Sequence, residues 1–263
     1  MTHVFLSPHY DDAVYSCGGT IHQLAQRGET VQIITIMGGD PPDPLPDTPI
    51  VRDLHQRWAA GENPITERKQ EDIRAAGILG AKTVHSQIPD CVYRTDENGT
   101  PLYPDENALW DNIHPNDPAR VFFPGRGDPV GRPDADTVLY APLGAGGHVD
   151  HLIVRDWALN VAQRGTANRV LFYQEYPYNE DPEAVRRALE QMPPTNSHTV
   201  LLTEPDIAAK IEGVRAYRSQ ISTFWQDEGM LAARVRAALV RDTHAPAETY
   251  RELTGTATSS EGD

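Results

Sequence analysis

Short apolar runs alternate along this chain with longer stretches of helical spacing. Val4-Phe5-Leu6 predicts a first strand, residues 18 to 27 a first helix, and Thr30 to Met37, rich in β-branched residues, a second strand. Thr66 serves as N-cap for a helix that reaches Leu79 and stops at Gly80, and Lys82 to His85 gives a short third strand. Val138 to Ala141 predicts the next strand and residues 152 to 163 the next helix. Arg169 to Glu175 and His198 to Thr203 read as further strands separated by a loop, residues 176 to 196. Pro205 opens a helix reaching Ser219, and residues 228 to 241 carry another. This alternation implies an α/β fold, a Rossmann-like three-layer sandwich with a mostly parallel sheet covered on both faces. A single domain over residues 1–253 accommodates it, with a small polar tail, 254–263, expected to be disordered.

Two stretches break the pattern. After Met37, Pro41, Pro42, Pro44, Pro46 and Pro49 argue against regular structure, because proline lacks the amide donor and fixes φ. Residues 89–133 form a loop-rich insertion that carries Tyr93, Tyr103 and Trp110 among its prolines. Aromatics among turn residues suit a cover over a cleft, since their flat apolar faces can pack on a ligand; surface decoration is the alternative.

The charge balance narrows the partners. Lys plus Arg number 23 against 38 Asp plus Glu, a net charge of -15, which disfavours nucleic acid and anionic membrane surfaces. No run approaches the ~20 apolar residues needed for a membrane span and no signal-peptide pattern is present, so a cytoplasmic location is expected. Cys17 and Cys91 are too few for a disulfide framework, and Cys17 reads as a buried packing residue.

The candidate chemistry sits at two strand ends. Ser7-Pro8-His9-Tyr10-Asp11-Asp12 follows the first apolar run and offers the nitrogen and oxygen donors that a divalent metal prefers. Gly146-Gly147-His148-Val149-Asp150-His151 follows the run ending at Ala141 with the same logic. Gly18-Gly19 lacks the spacing of a nucleotide loop.

His9-x-Asp11-Asp12 followed by Gly18-Gly19, with His148-x-Asp150-His151 downstream, resembles the PIG-L/LmbE-like family of zinc-dependent N-acetylglucosamine deacetylases. The likeness extends to Thr66-Glu67-Arg68-x-x-Glu71, to Ala75-Ala76-Gly77-Ile78-Leu79-Gly80 and to Ala216-Tyr217-Arg218-Ser219-Gln220. The chain departs from the usual family form at Tyr10, Ala13, Gly146 and Val149, none of which is a ligand position. The resemblance implies one zinc ion held by His9, Asp12 and His151, with Asp11 as general base. It also implies that a protonated His148 steadies the oxyanion, that Asp150 orients an imidazole and that Arg68 contacts the sugar. Arg68 otherwise reads as a helix-surface ion pair with Glu71 or Asp72.

The implied activity is hydrolysis of the N-acetyl group of a small N-acetylglucosamine-type conjugate, with homo-oligomerisation left open. A dinuclear metallophosphoesterase and a metal-containing, non-catalytic sugar-binding protein are the competing readings.

Overall fold

The computed structural model describes residues 1–58, 64–121, 133–220, 228–240 and 244–254. Its elements run β1 (Thr2–Ser7), α1 (Asp12–Gln26), β2 (Thr30–Thr35), α2 (Pro49–Trp58), α3 (Pro64–Leu79), β3 (Lys82–His85), β4 (Thr137–Pro142), α4 (Val149–Arg164), β5 (Arg169–Tyr173), α5 (Pro182–Glu190), β6 (Thr195–Leu201), α6 (Glu204–Arg215), α7 (Glu228–Leu239) and β7 (Ala247–Leu253). All of the strands belong to one sheet of order β3-β2-β1-β4-β5-β7-β6. The first five of that order are parallel, and β7 runs antiparallel to both β5 and β6.

Alternation along each strand builds the two outer layers. Phe5, Ile33, Tyr140 and Leu171 face one side, where Val14, Leu79, Ile211 and Leu231 supply apolar contacts from α1, α3, α6 and α7. Their neighbours Val4, Leu6, Ile34, Leu139, Val170 and Phe172 face the other, against Ile153, Trp157 and Val161 of α4. A strand buried on both faces must be apolar at every position, which is why these strands read as unbroken apolar runs. The three-layer expectation holds.

The chain moves outward from β1 to β2 and β3 on one side and continues with β4 and β5 on the other. The sheet order therefore reverses between β1 and β4, and a crevice opens beyond their C-terminal ends. Both ligand-rich stretches emerge there.

Several elements differ from expectation. Helix α1 begins at Asp12 rather than residue 18, so Gly18 and Gly19 lie inside it. A Cβ on Gly19 would come within 2.4 Å of Leu202 Cδ1, so the residue serves close packing. The proline-rich stretch contains α2, with Pro49 in its first turn, where a missing N–H costs nothing. The loop 176–196 contains α5, capped by Asp181, whose side chain accepts from Glu183 N at 2.9 Å. Strand β7 escaped notice because Glu248, Arg251 and Glu252 hide its period. Glu248 nonetheless points inward, where Lys210 Nζ and the amides of Gly19 and Thr20 neutralise it. Residues 122–132 of the insertion and the tail beyond Thr254 lie outside the described residues. Among the described residues, no helix is long and apolar enough to cross a membrane.

Candidate metal centre and cleft

The first turn is held by Ser7. Its hydroxyl accepts from the Ala13 amide at 2.9 Å and donates to the His9 carbonyl, folding residues 8–11 back onto the start of α1. Asp12, in the first turn of α1, then accepts from His9 N through Oδ2 at 2.8 Å. The same Oδ2 stands 3.3 Å from His9 Nδ1 and 3.3 Å from His151 Nε2, the latter reaching in from the first turn of α4.

The remaining imidazole nitrogens are tied to carboxylates. His9 Nε2 lies 3.0 Å from Asp150 Oδ2, and His151 Nδ1 lies 3.2 Å from Glu175 Oε1. A carboxylate on one ring nitrogen keeps the proton there and presents the lone pair of the other nitrogen. His9 Nδ1 and His151 Nε2 thus face Asp12, each able to offer a lone pair to a cation once its ring gives up a proton. His151 Nε2 is buried and has no hydrogen-bond partner among the described residues, an arrangement that is costly unless the atom binds something else.

Metal bonds of about 2.0–2.2 Å at tetrahedral angles separate neighbouring donors by roughly 3.3–3.6 Å. Each 3.3 Å spacing at Asp12 matches this separation, so Asp12 could share a divalent cation with either imidazole. The ring nitrogens of His9, His148 and His151 also approach within 4.8 Å of one another.

The protonation pattern suits a cation site. Burial alone would lower the pKa of His9, but Asp90, Asp12 and Asp150 raise it well above the usual imidazole value. His151 is likewise carried against burial to about 9 by Asp12 and Glu175. Burial would raise Asp12, yet the two imidazoles hold it well below the usual carboxylate range. Protons and a metal compete for the same lone pairs, so metal affinity should weaken as pH falls.

Asp11 takes a different environment. It is buried beside Asp12, and desolvation and that like charge push its carboxyl up to about 6, with the Arg68 guanidinium 3.8 Å away pulling the other way. Arg68 is not on a solvated helix surface. Its guanidinium lies between Trp58, 4.5 Å from the ring centroid, and Tyr10, at 5.1 Å, and its Nε has no hydrogen-bond partner among the described residues.

Glu71 and Asp72, the partners proposed for Arg68 from sequence, are occupied elsewhere. Glu71 accepts from Ser219 N and Oγ at 2.9 and 2.6 Å. Asp72 accepts from Thr35, Thr83 and His85, and its Oδ1 lies 2.7 Å from Tyr217 Oη. These contacts explain why the Arg68 stretch and the Tyr217–Gln220 stretch occur together: one clamps the other beside the sheet ends.

His148 is the N-cap of α4, and its Nδ1 accepts from Asp150 N at 3.3 Å, leaving Nε2 as the protonated donor. Sequence reasoning expected an imidazolium. Burial first, then the neighbouring His9, hold its pKa well below 6.5, so the ring is neutral and donates a single N–H. The edge of Trp110 meets it at 5.3 Å, and Tyr178 stands against both Trp110 and His151. Gly146, at φ +87, makes room for that tyrosine, since a Cβ there would approach Tyr178 Cδ1 to 2.5 Å.

The cleft above these residues encloses about 300 Å³, and its wall includes Asp11, Arg68, Asp90, Trp110, His148 and Tyr178. Tyr93, expected to touch the substrate, is instead a core residue whose Oη pairs with His55 Nε2 at 2.7 Å. Ser7, Asp90, Glu175 and Tyr178 were not anticipated. The one available signal was an acid, Glu175, ending an apolar strand beside β4.

Fold and site together define a doubly wound α/β protein with a cluster of His and carboxylate side chains at its switch point. The family model PIG-L, described as GlcNAc-PI de-N-acetylase, matches residues 4–162, and the chain belongs to that family. It is 29% identical over 187 residues to the 2'-N-acetylparomamine deacetylase of Niallia circulans, an alignment covering 66% of each chain. It is 26% identical to the enzyme of that name from Streptomyces fradiae, covering 82% of this chain and 72% of the relative. In structure it is similar to a teicoplanin deacetylase in a zinc-inhibited form, with TM-score 0.78, 22% identity and coverage of 96% and 97% of the two chains. Those values establish a shared fold.

Proposed function

We propose that this protein is a zinc-dependent N-deacetylase that hydrolyses the N-acetyl group of an amino-sugar conjugate to a free amine and acetate. The carrying observation is the convergence of His9 Nδ1, Asp12 Oδ2 and His151 Nε2 beside a buried second carboxylate, Asp11, at the floor of a cleft. His9, Asp12 and His151 would hold one zinc ion, which when bound polarises an oxygen ligand and lowers the pKa of water to about 7.

The chain's own groups then have separate roles. Asp11, ionised above pH about 6, takes the proton from the attacking water. Negative charge develops on the amide oxygen, where the Nε2–H of His148 donates to it. The amino termini of α1 and α4 both open onto this place and favour the same charge. Protonated Asp11 returns its proton to the departing nitrogen. Arg68, pinned between two rings, offers its remaining donors to the sugar or its aglycone. Trp110 supplies an apolar face at the mouth of the cleft.

The relatives, named as 2'-N-acetylparomamine deacetylases, support an N-acetylated amino-sugar conjugate as the substrate. Acetate release by the zinc-loaded protein, measured across 2'-N-acetylparomamine, N,N'-diacetylchitobiose and simple N-acetylglucosamine glycosides, tests the proposal. Turnover of at least one with one zinc per chain supports it. Phosphodiester hydrolysis with two metals per chain would place the protein among phosphoesterases instead.

A further inference from the structure

The insertion reaches the metal centre through one buried side chain that no part of the proposed chemistry uses. Arg94 follows the short turn Cys91–Tyr93 and is 3% exposed. Its Nη2 bonds to Asp150 Oδ1 and, at 2.9 Å, to Asp117 Oδ2, while Nη1 donates to the Pro89 carbonyl at 3.1 Å. Asp117 is itself anchored, accepting from Tyr103 Oη at 2.7 Å and from the Ala119 amide at 2.9 Å. The other oxygen of Asp150 accepts from Cys91 N at 3.1 Å and faces His9 Nε2 at 3.0 Å. Both oxygens of Asp150 are therefore occupied.

That occupation matters because His9 has carboxylates on two sides. Its Nδ1 faces Asp12, but its Nε2 faces Asp150 and, at 3.7 Å, Asp90. His9, Asp90 and Asp150 bring donor atoms within 4.8 Å of one another, close enough to hold a cation by themselves. A cation held there would share Asp150 with a guanidinium, so like-charge repulsion opposes it. Among the described residues, no arginine is paired with Asp12, the carboxylate of the inner set.

We propose that Arg94 is a positioning residue that reserves Asp150 as the hydrogen-bond acceptor of His9 Nε2, thereby directing the cation to the inner set and away from Asp90 and Asp150. This rests on the ligand assignment proposed above. Arginine suits the task because one guanidinium nitrogen bridges both carboxylates while the other holds the Pro89 carbonyl, a planar set of donors that a lysine ammonium does not reproduce.

Zinc affinity, measured by competition against a chromophoric chelator, tests the inference on R94K and R94Q, with the fold of each metal-free variant checked by circular dichroism. Loss of a partner that orients a metal-binding histidine costs roughly 10–100-fold in affinity, and a folded R94K or R94Q should lose that much. Asp90→Asn should lower zinc affinity more in the R94Q background than in the wild-type one, because the outer set competes once Asp150 is released.

Wild-type affinity in either folded variant would overturn the proposal. So would failure of both variants to fold, which would assign Arg94 to the architecture alone. His151→Ala separates the two layers of argument. If it binds zinc as tightly as wild type, the ligand assignment itself is wrong; if it loses zinc while R94K does not, only the role of Arg94 falls.

Discussion

The two turns that meet at the proposed metal centre solve the same problem with different materials. The β1–α1 turn is self-contained: Ser7 fixes it, His9 and Asp12 are its donors, and its own backbone amide from His9 orients Asp12. The β4–α4 turn contributes His151, but the group that orients this histidine, Glu175, comes from the end of β5, where it also accepts from Gly144 and Ala145 amides at 2.7 and 3.2 Å. The two turns are also linked, since Asp150 of the second orients His9 of the first. The proposed ligands are thus local to their turns, whereas the carboxylates that orient the two histidines come from another turn or strand. Damage to a ligand should abolish binding, and damage to an orienting group should weaken it.

The largest effects belong to the ligands. Asp12→Ala and His151→Ala should each lose most of the bound zinc and reduce acetate release to background, because three protein ligands leave no redundancy. Metal analysis of the purified variants checks this. Full occupancy in either would move that ligand position to His148 or Asp11.

Glu175→Gln should sit below that. The amide can still accept from the β4–α4 loop but no longer anchors the His151 proton as a charge, so zinc affinity should fall roughly 10–100-fold with the fold retained. An unchanged affinity would make Glu175 a loop anchor only.

The smallest effects on catalysis should come from the insertion, where the two aromatics separate cleanly. Trp110→Ala should raise KM with little change in Tm, since the ring is half-buried at the cleft and touches His148. Tyr93→Ala should do the reverse, lowering stability by roughly 3–5 kcal/mol as large-to-small core changes do, because it is 1% exposed. Thermal unfolding and steady-state kinetics on the pair decide it.

How much could be read in the sequence follows the same division. His9, Asp11, Asp12, His148, Asp150 and His151 were legible because each triplet lies within a few residues at a strand end. The parallel core was legible because strands covered on both faces are apolar throughout. Glu175 and Arg94 were hidden because their roles depend on contacts spanning 24 and 56 residues. Tyr93 was assigned to the cleft because composition marks aromatics without saying which way they face. The lowered pKa of His148 was hidden because burial and the adjacent His9 are properties of the folded site.

In the proposed mechanism Asp11 is the base beside a cation held by its neighbours, and Asp11→Asn probes that role. The amide keeps the size and hydrogen bonding of the carboxylate but cannot accept a proton at neutral pH. Zinc content and Tm should stay at wild-type values while kcat falls about 10²–10⁴-fold. In wild type, the base is ionised above its pKa, so activity should be present above pH about 6 and decline as pH drops through that value. That limb should disappear in the variant. A zinc-loaded Asp11→Asn protein that releases acetate at the wild-type rate, with the same acidic limb, would contradict the assignment.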